Sequence, residues 1–149
     1  MSLEIRYFAY GSNLSHKQMR KRCPGALPVG PARLIGFRLV FAGYSERWGG
    51  AVADVRPDAD WYVQGGVYRL GEWELKSLDS YEGYPDFYLR EDAQILLPSG
   101  ELTTAVMYRM AYAHEIGKPS RSYLETIISG FFNFKVTPPP EVSAAEYVE

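Results

Sequence analysis

Glu82 is the residue of this 149-residue sequence best suited to move a proton. If a helix reaches this far, Leu75, Leu78 and Glu82 fall at i, i+3 and i+7, so the carboxylate shares a face with leucines. Gly83 suits the left-handed position after a helix, which puts Glu82 in the last turn, where the helix dipole disfavours an anion. Both effects raise the carboxyl pKa toward neutrality. A frayed helix end with Glu82 in water is the alternative, and the helical pattern alone leaves both interpretations open.

A polar turn between a strand and a helix is the second candidate for chemistry. It consists of Tyr10, Gly11, Ser12, Asn13 and Leu14. The glycine leaves room for a ligand, the serine and asparagine add polar groups, and a helix start offers free backbone N–H groups. Such a turn can hold a carboxylate or a polarised carbonyl oxygen. The same residue types also form ordinary capped turns, so the turn alone does not establish a binding site.

Asp79 and Tyr123 are weaker candidates. Asp79 lies one turn before Glu82, and two carboxylates so spaced could act as a glycosidase-like pair. An exposed Asp79, or one that supports the adjacent loop through hydrogen bonds, is the favoured interpretation. Tyr123 opens the last predicted helix, where its hydroxyl could orient a ligand or a carboxylate. Taken alone, Tyr123 is more typical of a core residue.

The elements that must position these residues are short. Strands are predicted over residues 4–10, 33–41, 50–55, 62–70, 87–97 and 102–110, and helices over 15–22, 71–82 and 123–132. The first strand is apolar on both faces, which indicates a position inside a sheet. The Pro98-Ser99-Gly100 sequence predicts a hairpin between the last two strands. We therefore predict an α+β fold, a small closed or strongly curved mixed β-barrel with two or three flanking helices.

The C-terminal helix and the segment after it set the predicted domain boundary. The Ser122-Tyr123-Leu124-Glu125 sequence has the spacing of a capping box at the helix start. Leu124, Ile127, Ile128 and Phe131 then form one apolar stripe. The prolines at 138–140 cannot continue a helix and predict an extended or mobile tail. Residues 1–136 are predicted to form one domain and residues 137–149 a Pro-rich tail.

Composition argues against several classes of function. A net charge of −2 with interspersed signs gives no footprint for nucleic acid, and the basic cluster over residues 16–22 is predicted to be a solvated face. No apolar run approaches the ~20 residues that span a membrane, and the N-terminus shows no signal peptide, so a cytoplasmic location is predicted. One cysteine and two distant histidines predict no metal site. Nothing in the sequence indicates an oligomeric state.

Five segments, taken in order, resemble the γ-glutamylcyclotransferase-like family, the AIG2-like or BtrG-like group. They are Tyr7-Phe8-Ala9-Tyr10-Gly11-Ser12-Asn13-Leu14, Trp48-Gly49-Gly50-Ala51-Val52, Gly65-Gly66-Val67-Tyr68, Leu78-Asp79-Ser80-Tyr81-Glu82-Gly83 and Pro119-Ser120-Arg121-Ser122-Tyr123. Each segment is short, but their order is specific. The resemblance identifies Glu82 with the catalytic glutamate of that family.

The resemblance implies a small β-barrel with a cavity at its mouth and a reaction that needs no cofactor. In that reaction the α-amine of a small γ-glutamyl substrate attacks its own γ-carbonyl, which closes 5-oxoproline and releases an amino acid or an amine. Glu82 would be the general acid/base. The residues expected to bind the substrate are Tyr7, Tyr10, Gly11, Ser12, Asn13, Leu14, Tyr88 and Tyr123.

The sequence leaves two alternatives open. A binding or scaffold protein could keep the fold and the pocket without activity, since fold does not establish function. Within the enzymes, the substrate could be a γ-glutamyl amino acid, a γ-glutamylamine or a γ-glutamyl-protected biosynthetic intermediate. The Tyr-Gly-Ser-Asn form of the turn is closer to the γ-glutamyl amino acid group, and glutathione is disfavoured because its extra glycine demands more room.

Overall fold

The computed structural model describes residues 4–149, which form a closed β-barrel of mixed strand direction. The strands are β1 (Ile5–Ala9), β2 (Leu27–Ser45), β3 (Gly50–Leu70), β4 (Tyr88–Leu96) and β5 (Leu102–Met110). Their order around the barrel is β1-β3-β2-β4-β5. Strand β1 pairs with β3 in the antiparallel sense and with β5 in the parallel sense, and the latter pairing closes the barrel. The predicted fold class is confirmed, and so are the interior position of β1 and the hairpin of β4 and β5.

Strands β2 and β3 differ most from the prediction. They run for 19 and 21 residues and pair with each other, whereas the sequence predicts one short strand in β2 and two in β3. The strands continue through their prolines and glycines, with register shifts between Pro28 and Gly30 and between Ile35 and Phe37. Such bulges bend a strand without ending it. The bends help two long strands to wrap around a small barrel.

Three helices of seven or more residues flank the barrel: α1 (His16–Arg22), α2 (Glu72–Tyr81) and α3 (Arg121–Asn133). A short 3-10 turn, Ser12–Leu14, precedes α1. The predicted capping box of α3 is wrong, because Ser120 rather than Ser122 caps this helix and accepts a hydrogen bond from the backbone N–H of Tyr123. The helix therefore begins two residues earlier than predicted, although its apolar stripe packs on the barrel as expected.

The C-terminal segment is not simply extended. Residues Pro140–Ser143 form one helical turn, α4, because a proline in the first turn of a helix needs no N–H donor. Val142 is buried on this turn, and the backbone N–H of Val148 donates to the carbonyl of Pro119 at 3.0 Å. The tail thus returns to the start of α3. The proposed division of the chain at residue 137 stays a prediction, and residues 1–3 of the predicted domain lie outside the described residues.

The core fills the barrel with apolar and aromatic side chains. Phe8, Val55, Ile95 and Met107 are among those fully buried inside it. Among residues 4–149, no helix has both the length and the apolar character needed to cross a membrane. Over the same residues, no group of three or more His, Cys, Asp or Glu side chains is arranged to hold a metal ion.

Candidate active site

Glu82 lies at the C-terminal end of α2, where the chain turns back toward the barrel. Leu75 and Leu78 of this helix are buried, as the helical pattern predicts, and Glu82 caps the helix through its N–H bond to the carbonyl of Leu78. Gly83 has φ of 66°, a left-handed conformation that glycine adopts without strain. This turn directs the carboxylate of Glu82 toward Asn13, and only 16% of the side chain remains exposed.

The surroundings of the Glu82 carboxylate favour its neutral form. Burial is the main effect and raises the pKa from its ordinary value of 4.5 to about 6. The Arg22 guanidinium, 3.8 Å away, the hydrogen bond from Asn13 and the charge of Arg47 oppose this rise. A carboxyl group with a pKa near 6 can both accept and donate protons close to neutral pH.

Asn13 holds Glu82 against the turn formed by residues 10–14. Its side-chain Nδ2 donates to Glu82 Oε1 and to the Tyr7 hydroxyl, each at 3.0 Å. Its Oδ1 accepts from Gln18 Nε2 at 2.9 Å and from an Arg22 guanidinium nitrogen at 3.2 Å. Because two donors occupy the oxygen side, the amide group has one orientation, with its NH₂ toward Glu82. The sequence identified Asn13 but not this fixed network around it.

The backbone of the 10–14 turn also faces the site. The N–H groups of Leu14 and Ser15 donate to the carbonyls of Gly11 and Ser12 at 3.0 Å, which forms the 3-10 turn. The first N–H groups of such a turn have no partner within it. The N–H groups of Ser12 and Asn13 are therefore available to a negatively polarised ligand atom.

Two tyrosine hydroxyls form hydrogen bonds with the backbone of one residue, Ala53, on the other wall. The N–H of Ala53 donates to the Tyr123 hydroxyl at 2.9 Å, and the Tyr88 hydroxyl donates to the carbonyl of Ala53 at 2.6 Å. The Tyr123 oxygen is an acceptor in this contact, so its own proton remains available to a ligand. Burial raises the pKa of both hydroxyls, which therefore stay protonated at neutral pH.

These groups line two neighbouring spaces that share part of their lining. A cavity of about 270 Å³, here called the outer cavity, opens at the barrel mouth, and a smaller inner recess of about 40 Å³ lies against the 10–14 turn. The residues common to both are Ser12, Glu82, Tyr88 and Tyr123. A ligand in the outer cavity therefore meets the carboxylate and both hydroxyls where it reaches the inner recess.

Most of the residues expected to bind substrate come together at these spaces. Those that line only the inner recess are Tyr7, Tyr10, Gly11 and Asn13. Leu14 is the exception, because its side chain is buried in the core and lines neither space. It packs against Gly130 of α3, and its carbonyl accepts the Tyr68 hydroxyl at 3.1 Å. Leu14 therefore anchors the turn, and its expected part in substrate binding stays a prediction.

Several residues of the outer cavity were not identified from the sequence. Arg22 was assigned to a solvated basic face, but it is buried and points to Glu82. Arg22 lies one helical turn after Gln18 and close to Met19 and Cys23, both of which are buried. This position could have indicated that Arg22 faces the interior. Arg47 and Trp48 also line the outer cavity, from the turn between β2 and β3. Trp48 begins one of the family-like segments, but no helical or strand periodicity marks that turn, and the sequence gave neither residue a role at the site.

Asp79 does not share the site with Glu82. Its Oδ1 accepts the Tyr108 hydroxyl at 2.7 Å and lies 2.8 Å from Arg90 Nε. Asp79 lines neither the outer cavity nor the inner recess. The side chain of Asp79 thus bonds to residues of β4 and β5, and these contacts give no indication of a two-carboxylate mechanism.

Comparisons with known proteins agree with this architecture. The family model described as gamma-glutamyl cyclotransferase, AIG2-like, matches residues 7–125. Gamma-glutamylcyclotransferase of Mus musculus is 33% identical over 129 residues, which cover 83% of this chain and 68% of the relative, and the Bos taurus enzyme matches with the same identity and coverage. A solved structure described as gamma-glutamyl cyclotransferase has a TM-score of 0.91 at 28% identity, covering 99% of this chain and 90% of that one. The chain belongs to the γ-glutamyl cyclotransferase, AIG2-like family of enzymes.

Proposed function

We propose that this enzyme converts a γ-glutamyl amino acid or a γ-glutamylamine to 5-oxoproline, with Glu82 as the general acid/base. The observation that carries the proposal is the Glu82 carboxyl group, partly buried, raised in pKa to about 6 and hydrogen-bonded to Asn13 beside a cavity. The family membership supports the type of reaction. The position of Glu82 supports its role, because a shuttling group must reach both nitrogen atoms of the reacting substrate.

The proton balance explains why one carboxyl group is sufficient. The substrate begins with an α-ammonium group and a γ-amide N–H, and it ends as a lactam N–H and a released ammonium group. The new bond joins the α-nitrogen to the γ-carbonyl carbon, and the bond from that carbon to the leaving nitrogen breaks. Two protons thus leave the attacking nitrogen and two arrive on the leaving nitrogen. Glu82 carries them in succession, and the reaction consumes no water.

The remaining groups position the substrate and stabilise the tetrahedral intermediate. Attack within one molecule already supplies proximity, so the protein must fold the substrate and hold its oxyanion. The N–H groups of Ser12 and Asn13 and the free proton of the Tyr123 hydroxyl are donors for such negatively polarised oxygens. The Tyr88 hydroxyl donates to Ala53, so its oxygen can accept a hydrogen bond from the substrate ammonium.

The direct test follows 5-oxoproline release from γ-glutamyl dipeptides, γ-glutamylamines and glutathione with purified protein. We expect turnover of at least one of the first two classes by the wild type. Glu82→Gln removes the titrating group with little change in shape, and we expect kcat to fall about 10²- to 10⁴-fold. Glu72→Gln, an exposed position on the same helix, is the matched control and should retain wild-type turnover.

Two outcomes would contradict the proposal. Turnover near the wild-type rate by a folded Glu82→Gln variant would remove Glu82 from the mechanism. An absence of turnover by the wild type across the whole panel would instead contradict the cyclisation itself and favour a binding role for the cavity.

A further inference from the structure

Arg47 is held at the mouth of the outer cavity by an ordered turn, residues 45–50, between β2 and β3. The backbone N–H of Gly49 donates to the Ser45 carbonyl at 2.7 Å, and that of Trp48 donates to the Ser45 hydroxyl at 3.3 Å. The Trp48 ring packs edge-on against Tyr123, with centroids 5.0 Å apart. The turn is therefore attached to the wall of the site, and it carries Arg47 on the cavity surface.

Three charged side chains line the outer cavity, and only two of them pair with each other. They are Glu82, Arg22 and Arg47. Arg22 already has partners, since it lies 3.8 Å from Glu82 and donates to Asn13. Across residues 4–149, no carboxylate oxygen lies within ion-pairing distance of Arg47. The cavity therefore presents one cation that the protein itself leaves without a counter-ion.

Arg47 approaches Tyr81, which orients its guanidinium group without neutralising it. The guanidinium carbon lies 5.6 Å from the centre of the Tyr81 ring, and that of Arg22 lies 4.8 Å from the same ring. An arginine near an aromatic ring keeps its charge and its donors for a planar anion. The best partner for such a group is a carboxylate, which it can bind through two parallel hydrogen bonds.

The candidate substrate classes differ in this chemical feature. A γ-glutamyl amino acid carries a carboxylate on the leaving amino acid, and a γ-glutamylamine has none there. In the proposed reaction the leaving nitrogen must be close to Glu82, which borders both spaces. With the reacting glutamyl group toward the inner recess, the substituent on that nitrogen extends into the outer cavity. Its carboxylate then faces Arg47.

We propose that Arg47 is the specificity residue that selects γ-glutamyl amino acids, by binding the carboxylate of the leaving amino acid. This inference rests on the proposed cyclisation and specifies which class of γ-glutamyl substrate the enzyme prefers. Arg47 is not required for proton transfer. Its effect is on the choice between substrates that have and lack this carboxylate.

The test compares γ-glutamyl-alanine with γ-glutamyl-alaninamide, which differ only in the carboxylate. The measured quantity is the ratio of kcat/KM for the acid to kcat/KM for the amide. We expect the wild type to prefer the acid, and Arg47→Ala to reduce the ratio about 10- to 100-fold. The loss of the Arg47 charge also affects Glu82, but it does so for both substrates and cancels in the ratio. Arg47→Lys should restore part of the preference, because it keeps the charge and loses the planar fork.

Arg38→Ala is the matched control, since Arg38 is a half-exposed arginine on β2 that pairs with Asp58 outside the cavity. Its ratio should equal that of the wild type. Equal losses on acid and amide in Arg47→Ala, or a wild type without preference, would overturn the assignment of Arg47 while the cyclisation stands. If the wild type releases 5-oxoproline from neither compound nor from any other γ-glutamyl substrate, the proposed function fails first.

Discussion

Two carboxylates on α2, one turn apart, have opposite surroundings. Asp79 and Glu82 are about equally buried, with 18% and 16% of their side chains exposed. Asp79 contacts Arg90 at 2.8 Å and accepts the Tyr108 hydroxyl. Glu82 has a hydrogen bond from the neutral Asn13 and a more distant cation, Arg22, at 3.8 Å.

The difference shows that partial burial alone does not make a carboxylate suitable for proton transfer. Asp79 is engaged by a close cation and a hydroxyl, whereas Glu82 has a neutral donor and a more distant cation, and burial is the strongest influence on the pKa of Glu82. For Glu82 the result is a pKa of about 6. We therefore assign a supporting role to Asp79, and we expect the two positions to respond differently to substitution.

The largest difference between the two carboxylates is expected in turnover, when Glu82 is replaced. Glu82→Asp keeps a carboxylate but withdraws it by one methylene from Asn13, so it separates the chemistry of the group from its position. We expect kcat to fall about 100-fold, because a displacement on the order of 1 Å of a reacting group has that cost. The measurement is 5-oxoproline release at saturating substrate. Full activity in Glu82→Asp would show that the contact with Asn13 does not set the geometry.

The next effect concerns stability at the other carboxylate. Asp79→Asn leaves Arg90 without its counter-ion and weakens the bond from Tyr108, so we expect the free energy of unfolding to fall by about 2 kcal/mol. Turnover should stay within about threefold of the wild type, because Asp79 does not reach the cavity. Urea unfolding and the 5-oxoproline assay measure the two quantities, with the exposed Asp92→Asn as control. A turnover loss as large as that of Glu82→Gln would place Asp79 in the mechanism.

The smallest effect is the pH dependence of stability at Glu82. Folding raises this pKa from 4.5 to about 6, so the protonated form favours the folded state and the charged form disfavours it. The contribution of protonated Glu82 to the free energy of unfolding is fully present below pH 4.5 and is lost as the pH rises through about 6. Above that range we expect Glu82→Gln to be more stable than the wild type by about 1 to 2 kcal/mol, relative to their difference at pH 4.

Urea unfolding of both proteins between pH 4 and pH 8 measures this difference, with Glu72→Gln as the exposed control. A stability difference that does not change with pH would mean that the protein does not perturb Glu82. A change of the opposite sign would mean that Arg22 and Arg47 outweigh burial.

The sequence was most informative where the structure is local. The Pro98-Ser99-Gly100 turn and the apolar stripe of α3 each depend on neighbouring residues, and both appear as predicted. The length of β2 and β3 was not predictable in this way, because strands continue through proline and glycine only where a partner strand stabilises the bulge. Ile35 and Tyr62, for example, are pairing partners although they lie 27 positions apart in the chain.

Some residues of the candidate site could likewise be identified from local sequence, and others could not. Glu82 and the 10–14 turn carry recognisable residue types in short segments, so the sequence pointed to them. Arg22 and Arg47 gain their significance only because α1 and the 45–50 turn meet Tyr81 in the folded protein. A basic residue on a short helix or in a turn is usually solvated. Only the tertiary contacts distinguish these two.

The two walls of the cavity, the 10–14 turn and the 45–50 turn, differ in how well they tolerate mutation, and Gly130 of α3 is the reason. Any side chain at this position would overlap the backbone of Leu14 and Ser15, so the helix touches the 10–14 turn directly and fixes its place. Changes behind that turn would therefore disturb the reacting centre of every substrate. In the 45–50 turn Glu46 and Arg47 are exposed, Arg47 where it lines the outer cavity, and substitutions there need not move the barrel. New substrate preferences can thus arise at one wall while the other preserves the chemistry.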